Sequence, residues 1–308
     1  MSTEGSNKAI VAALGANLGI AVTKFAAFLL TSSISMLAES IHSLADSGNQ
    51  VLLLVGGKQA KRKATEDHPF GFGRSRYLYA FIVSVVLFSV GGLFALYEAF
   101  HKWQHPEPIT EWQWVPVVVL LAAIGMEGFS FRTAIVEANP VRGSRSWVRF
   151  IREAKSPELP VVLLEDSAAL VGLVLALFGV GLTLITGDGH WDAVGTGMIG
   201  LLLVCVAVVL AIETSSLLLG EGAEPAELDA IRAALIGAGV DSVIHIRTMF
   251  VGPEELLVAA KIAVSPTELA RDVAEAIDAA EARVRAAVPV VGLIFLEPDI
   301  ARSDVARS

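Results

Sequence analysis

The sequence predicts an α-helical membrane protein, a six-transmembrane-helix bundle over residues 1–219 joined to a small cytoplasmic α+β domain over 220–308. Three observations carry that prediction. Of the 308 residues, 54% are hydrophobic and only 18% charged, with a mean hydropathy of +0.63; a soluble domain carries about 25% charge. Apolar stretches recur near 9–31, 34–56, 77–101, 113–137, 161–186 and 191–219. Each is long enough to cross a hydrocarbon core of about 30 Å. After Gly220 the pattern breaks into short amphipathic pieces with frequent charges.

Loop charge orients the spans. The connection after span two holds Lys58, Lys61, Arg62, Lys63, Arg74 and Arg76, and the one after span four holds Arg142, Arg145, Arg149, Arg152 and Lys155. The three alternate connections contain Lys102 alone. Basic residues collect on the cytoplasmic side, so both termini are expected there and the chain in the cell membrane. No basic stretch leads into a small-residue cleavage site, so span one reads as retained. Spans five and six are rich in glycine ("GLVLALFGVGL", "GTGMIG"), which predicts close packing against a neighbour.

The tail reads as a helix ("AELDAIRAALIGAG"), two strands ("DSVIHIRTMFV", "ELLVAAKIAV"), a long helix and a last strand ("VGLIFLE"). "SPTE" predicts Ser265 as the N-cap and Pro266 as the first residue of the long helix. The order αββαβ suits a ferredoxin-like sheet with two helices on one face. This domain carries most of the net charge of −9, with 15 acids and 8 bases. Such a balance argues against a nucleic-acid surface. Cys205 is the single cysteine and lies in span six, so an internal disulfide and a cysteine metal site are excluded.

Ionisable residues at membrane depth mark function. Glu98 and Glu213 lie near span ends, within reach of headgroups. Lys24 and Glu127 lie deeper, where a buried ion pair or a proton-handling role are both open readings. In "AESIHSLADSGNQ", residues 38–50, Glu39, His42, Asp46 and Asn49 fall on one stripe of a helix. "LLEDSAALVG" adds Glu165 and Asp166 from span five. Imidazole nitrogen with carboxylate oxygens suits a borderline divalent cation such as Zn²⁺, with Mn²⁺, Fe²⁺ and Co²⁺ as further candidates. Carboxylates also offset the cost of holding a double charge in a low-dielectric interior.

Together these features resemble the cation diffusion facilitator (cation efflux) family. Six spans, cytoplasmic ends, the αββαβ tail, "AESIHSLADSGNQ" and the loop "DHPFGFGRSRY" all contribute. "HPFGFGR" and "LLEDSAA" are most similar to the branch that includes zinc transporter nine. The resemblance implies a tetrahedral metal site with two ligands from span two, matched by His42 and Asp46, and two from span five, one matched by Asp166. The other span-five position is Val162, so one expected ligand is missing. Glu165 is the first substitute, with Glu39 and Asn49 as others. In the loop, Asp67 and His68 persist as metal candidates, but a histidine expected nearby is Phe72. The tail offers only His245, which leaves homodimerisation as its implied role.

A depth problem accompanies this assignment. Counted from the outer ends at 1.5 Å per residue, Asp46 lies about 18 Å deep and Asp166 about 30 Å. Span five is therefore expected to tilt or to end before Thr186 if both serve one ion.

The expected activity is proton-coupled efflux of a divalent cation, zinc first, with no permanently bound cofactor, no enzyme activity and no nucleic-acid partner. No phosphate-binding Gly-rich lysine motif is present to couple a nucleotide. Two alternatives stand beside it. One is a non-transporting membrane scaffold or regulator; the other is an intramembrane metal-dependent hydrolase using Glu39, His42 and Asp46, although no HExxH string occurs.

Overall fold

The structure is a computed structural model, and it describes residues 3–31, 34–106 and 112–301. Parts of the connections after spans one and three thus lie outside the described residues. The chain forms two compact units, one of residues 1–59 and 75–215, the other of 60–74 and 216–308.

The first unit is helical. Its long elements are α1 (Thr3–Thr31), α2 (Ile34–Ala60), α3 (Ser75–Val86), α4 (Phe94–Gln104), α5 (Trp114–Arg142), α7 (Glu158–Thr186) and α8 (His190–Leu219). A π-helical segment, Leu87–Leu93, joins α3 to α4, so the third span is one continuous rod. Five spans among the described residues are long and apolar enough to cross a membrane. The exception among the six expected is α2. At 27 residues it is long enough, but Glu39, His42, Asp46, Asn49 and Gln50 lower its apolar content. Asn49 and Gln50 are fully buried, so that polarity is spent inside the bundle.

Local chemistry sets the helix ends. Gly143 takes φ 59° after Pro140 in the last turn of α5, and Gly187 takes φ 73° to stop α7. Both have a positive φ that favours glycine, and Gly187 is a left-handed helix cap. Between α5 and α7 lies a short helix that periodicity did not reveal, α6 (Trp147–Glu153), capped by Ser146, whose hydroxyl accepts from Arg149 N at 3.2 Å. Arg142 stacks on Trp147, and Phe150 inserts into the core beside Ala138 and Leu159. The glycine-rich spans pack as expected. A Cβ on Gly179 would meet Trp191 O at 3.0 Å and Gly195 Cα at 3.4 Å, so α7 and α8 touch backbone to backbone. Cys205 is exposed, as a lipid-facing residue would be.

The second unit contains α9 (Pro225–Leu235), β1 (Ser242–Gly252), β2 (Glu255–Ala263), α10 (Ala270–Ala287) and β3 (Val291–Asp299). The sheet order is β1-β2-β3, with β1 and β2 antiparallel and β2 and β3 parallel across the α10 crossover. Alternate residues of β2, Leu256, Val258, Ala260 and Ile262, face the helices and meet Ile231, Leu235, Ala280 and Val284. Lys261 pairs with Glu297 and Asp299 on β3, and these carboxylates raise its pKa above the usual lysine value.

The start of α10 differs from expectation. Its N-cap is Leu269, not Ser265, and Pro266 precedes the helix. Ser265 instead forms a local turn, its hydroxyl 2.9 Å from that of Thr267 and its carbonyl accepting from Glu268 N. Residues 60–74 join this unit because Gly73 lies flat against β1. A Cβ there would meet Val251 O at 2.7 Å and Gly252 Cα at 2.8 Å.

Candidate metal-transport site

The polar stripe of α2 faces a cavity of about 170 Å³ within the helical unit. Glu39, His42, Ser43 and Asp46 line it from α2, Lys24 from α1, Glu127 from α5 and Glu165 from α7. His42 Nε2 lies 3.8 Å from Asp46 Oδ2, the i,i+4 contact that one helical turn allows. Both are about a quarter exposed, to the cavity. The π-helical segment passes close by, for a Cβ on Gly91 would stand 3.7 Å from His42 Cε1. Such segments recur at functional sites because the extra residue re-aims the helix wall.

Below this pair, two amides of α2 hold Glu165. Asn49 Nδ2 donates to Oε1 at 3.1 Å and Gln50 Nε2 to Oε2 at 2.7 Å. Both oxygens of this buried carboxyl group thereby accept a hydrogen bond, which offsets part of the cost of burying it. Asp166 turns to α5, where its Oδ2 accepts from Ser130 Oγ at 2.7 Å. Glu127 sits one turn before Ser130 on the same face and is 2% exposed. Its charged neighbours are Asp166, Glu165, Asp46 and Lys24.

These contacts answer the depth problem. Glu165 is level with Asn49 and Gln50, one turn inward of Asp46, although α7 continues to Thr186. The ends of α2 and α7 are therefore staggered or tilted, and early termination of span five is not the explanation. Val162 lies in the apolar core with Leu159, Val161 and Leu163, fully buried. The acids thus surround the cavity from α2, α5 and α7, but among the described residues no three His, Cys, Asp or Glu side chains converge closely enough to grip one ion.

The other candidates are engaged with other partners or lie outside the cavity. Glu39 pairs with Lys24 at 3.3 Å, and Asn49 serves Glu165 through its amide nitrogen. Asp67 and His68 belong to the second unit, in an exposed turn where His68 stacks on Phe72 with ring centroids 4.5 Å apart. His245 is also in that unit, on β1. Sequence reasoning missed the Asn49–Gln50 clamp and the Ser130 hydroxyl. Gln50 was legible in principle, being one turn beyond Asp46; Ser130 carries no signal until α5 is set against α7. Also missed was a buried ion pair, Arg76 Nε to Glu158 Oε1 at 3.2 Å, which ties the start of α3 to that of α7.

A family model for the cation efflux transmembrane domain matches residues 10–219. The relative named proton-coupled zinc antiporter SLC30A9, mitochondrial, from Xenopus laevis is 32% identical over 240 residues, which cover 76% of this chain and 42% of the relative. The Homo sapiens protein of that name is 32% identical over 234 residues, 75% of this chain and 41% of the relative. Metal tolerance protein C4 from Arabidopsis thaliana is 27% identical over 267 residues, 85% and 58% respectively. The chain spans about two fifths of the length of the first two relatives. With the helical unit matched over nearly its whole length, the chain is an integral membrane protein that belongs to the cation efflux family, a family of transporters rather than enzymes.

Proposed function

We propose that this protein moves a divalent cation, zinc first among the candidates, across the membrane in exchange for protons. The observation that carries the reading is the cavity among α1, α2, α5 and α7, lined by one imidazole and several carboxylates in a chain of this family. Two kinds of relative, a proton-coupled zinc antiporter and a metal tolerance protein, bear names that agree with it.

The ligand set is His42, Asp46 and Asp166, completed by Glu165 or by Glu127 where Val162 supplies nothing. In this reading α7 moves against α2 and α5, freeing Asp166 from Ser130, so that these groups meet on one ion. A ligating histidine must be neutral and ligating carboxylates ionised, so protons and metal compete for the same atoms. Metal binding expels protons, and protonation from the opposite side favours release. The exchange needs no nucleotide.

In this reading the basic connections after α2 and α5 face the cytoplasm, as do both termini, and the membrane we assign is the cell membrane. The cavity lining extends to Glu98, Lys102 and Asp192, at the opposite ends of α4 and α8. The Arg76–Glu158 pair joins the starts of α3 and α7, which in this reading is the cytoplasmic end, and would favour its closure. This arrangement suits an outward-facing state. The αββαβ unit serves as a homodimer contact, for which Phe295, 54% exposed on β3, is a candidate.

Zinc flux in vesicles tests the assignment. Wild-type protein is expected to transport, and Asp46→Ala and Asp166→Ala to lose most of the flux. Unchanged transport in both variants would overturn the shared site; no flux of any metal by the wild type would favour the scaffold.

A further inference from the structure

The carboxylates of the cavity divide into two groups. Towards the outer end each is already matched by an ammonium group: Glu39 by Lys24 Nζ at 3.3 Å, and Glu98 and Asp192 by Lys102 Nζ at 3.2 and 2.9 Å. Further in, Asp46, Glu127 and Glu165 make no ion pair with a lysine or arginine among the described residues. Lys24 stands at the boundary. Its side chain is 9% exposed and its ammonium also donates to Ser43 Oγ at 3.3 Å, between His42 and Asp46 in height.

Glu39 is three residues before His42 on the same face, and both line the cavity. Freed of its lysine, this carboxylate would be a competent ligand beside the imidazole, about 10 Å outward of Asp46 along α2. An ion leaving the deeper acids would meet it on the way out. We propose that Lys24 is a positioning residue, a tethered cation that keeps Glu39 occupied so that the departing metal ion is released rather than recaptured at Glu39 and His42. This rests on the reading of the chain as a divalent-cation exporter. The lysine acts through charge and not through ligation, since an ammonium offers protons and no lone pair. It sets a low affinity on the exit side while the uncompensated inner acids keep theirs.

The test is zinc binding by the purified full chain in detergent, paired with zinc flux in vesicles, for wild type, Lys24→Met, Lys24→Arg, Glu39→Gln and the double variant Lys24→Met/Glu39→Gln. Lys24→Met is expected to bind zinc about tenfold more tightly and to turn over more slowly, lowering KM and kcat together. That is the size of effect of one unit charge removed from a few ångströms away in a partly solvated cavity. Glu39→Gln leaves the ammonium uncompensated and is expected to weaken zinc binding about threefold to tenfold. Lys24→Arg keeps wild-type behaviour, and the double variant returns to within about twofold of it. A merely structural pair would give lower stability in both single variants without opposite shifts in affinity. Unchanged or weaker zinc binding in Lys24→Met overturns the proposal, and if that variant does not fold, unchanged binding in Glu39→Gln does so. Absence of zinc binding and flux in the wild type would overturn the exporter reading as well, which separates the two failures.

Discussion

Gln50 and Asn49 do at residue scale what water cannot do inside a membrane, supplying an N–H to each oxygen of Glu165. Losing one of these donors leaves a buried acceptor unsatisfied, which costs about 1–3 kcal/mol. Gln50→Leu removes the shorter bond, so it is expected to destabilise the protein by about that amount. Denaturation followed in detergent checks this, and an unchanged midpoint would show that Glu165 finds another partner. The stripe of Glu39, His42, Asp46 and Asn49 was legible in the sequence because a 3.6-residue period is a local property. The partner of each was not. Asn49 and Glu165 lie far apart in the chain, on helices whose stagger no periodicity encodes. Val162 was legible as a gap in the ligand pattern; Glu127, on the preceding span, becomes its neighbour's neighbour only when α5 packs on α7.

Helix pairs hold the bundle through a few specific contacts set in a generally apolar interior. Arg76 and Glu158 are 7% and 4% exposed, so the pair joining α3 to α7 is desolvated. Removing one partner from such a pair strands a charge and costs about 3–5 kcal/mol. Arg76→Ala is therefore expected to lose about that much stability, while Arg76→Ala/Glu158→Ala loses less than the two single variants added together. Equal and additive losses, read from unfolding in detergent, would show that the two side chains act independently. Glycine positions were legible as a class, and contact between Gly179 and Gly195 gives that composition its physical meaning. The ends of elements were less legible. "SPTE" has the composition of a helix start, yet Ser265 spends its hydroxyl on Thr267 and α10 begins at Ala270. A local hydrogen bond outcompeted the cap because both use the same oxygen. The seven-residue α6 was invisible for a different reason, being too short to show a period.

For the molecule as a whole, apolar length and the break in composition after Gly220 were enough to read a helical membrane unit and an αββαβ unit. They were not enough to assign residues 60–74, which join the second unit through the flat contact of Gly73 with Gly252. Polar residues in α2 cost it the composition of an ordinary span, and this departure coincides with the cavity that defines the candidate site. The central claim is that this cavity exchanges a zinc ion for protons. Reconstituted vesicles loaded with equal zinc on both sides and given an imposed pH gradient test it most directly. The account predicts net zinc movement towards the acidic side, reversal of its direction when the gradient is reversed, and loss of both in Asp46→Ala. Zinc flux that ignores the gradient, or that follows it unchanged in Asp46→Ala, would contradict the account.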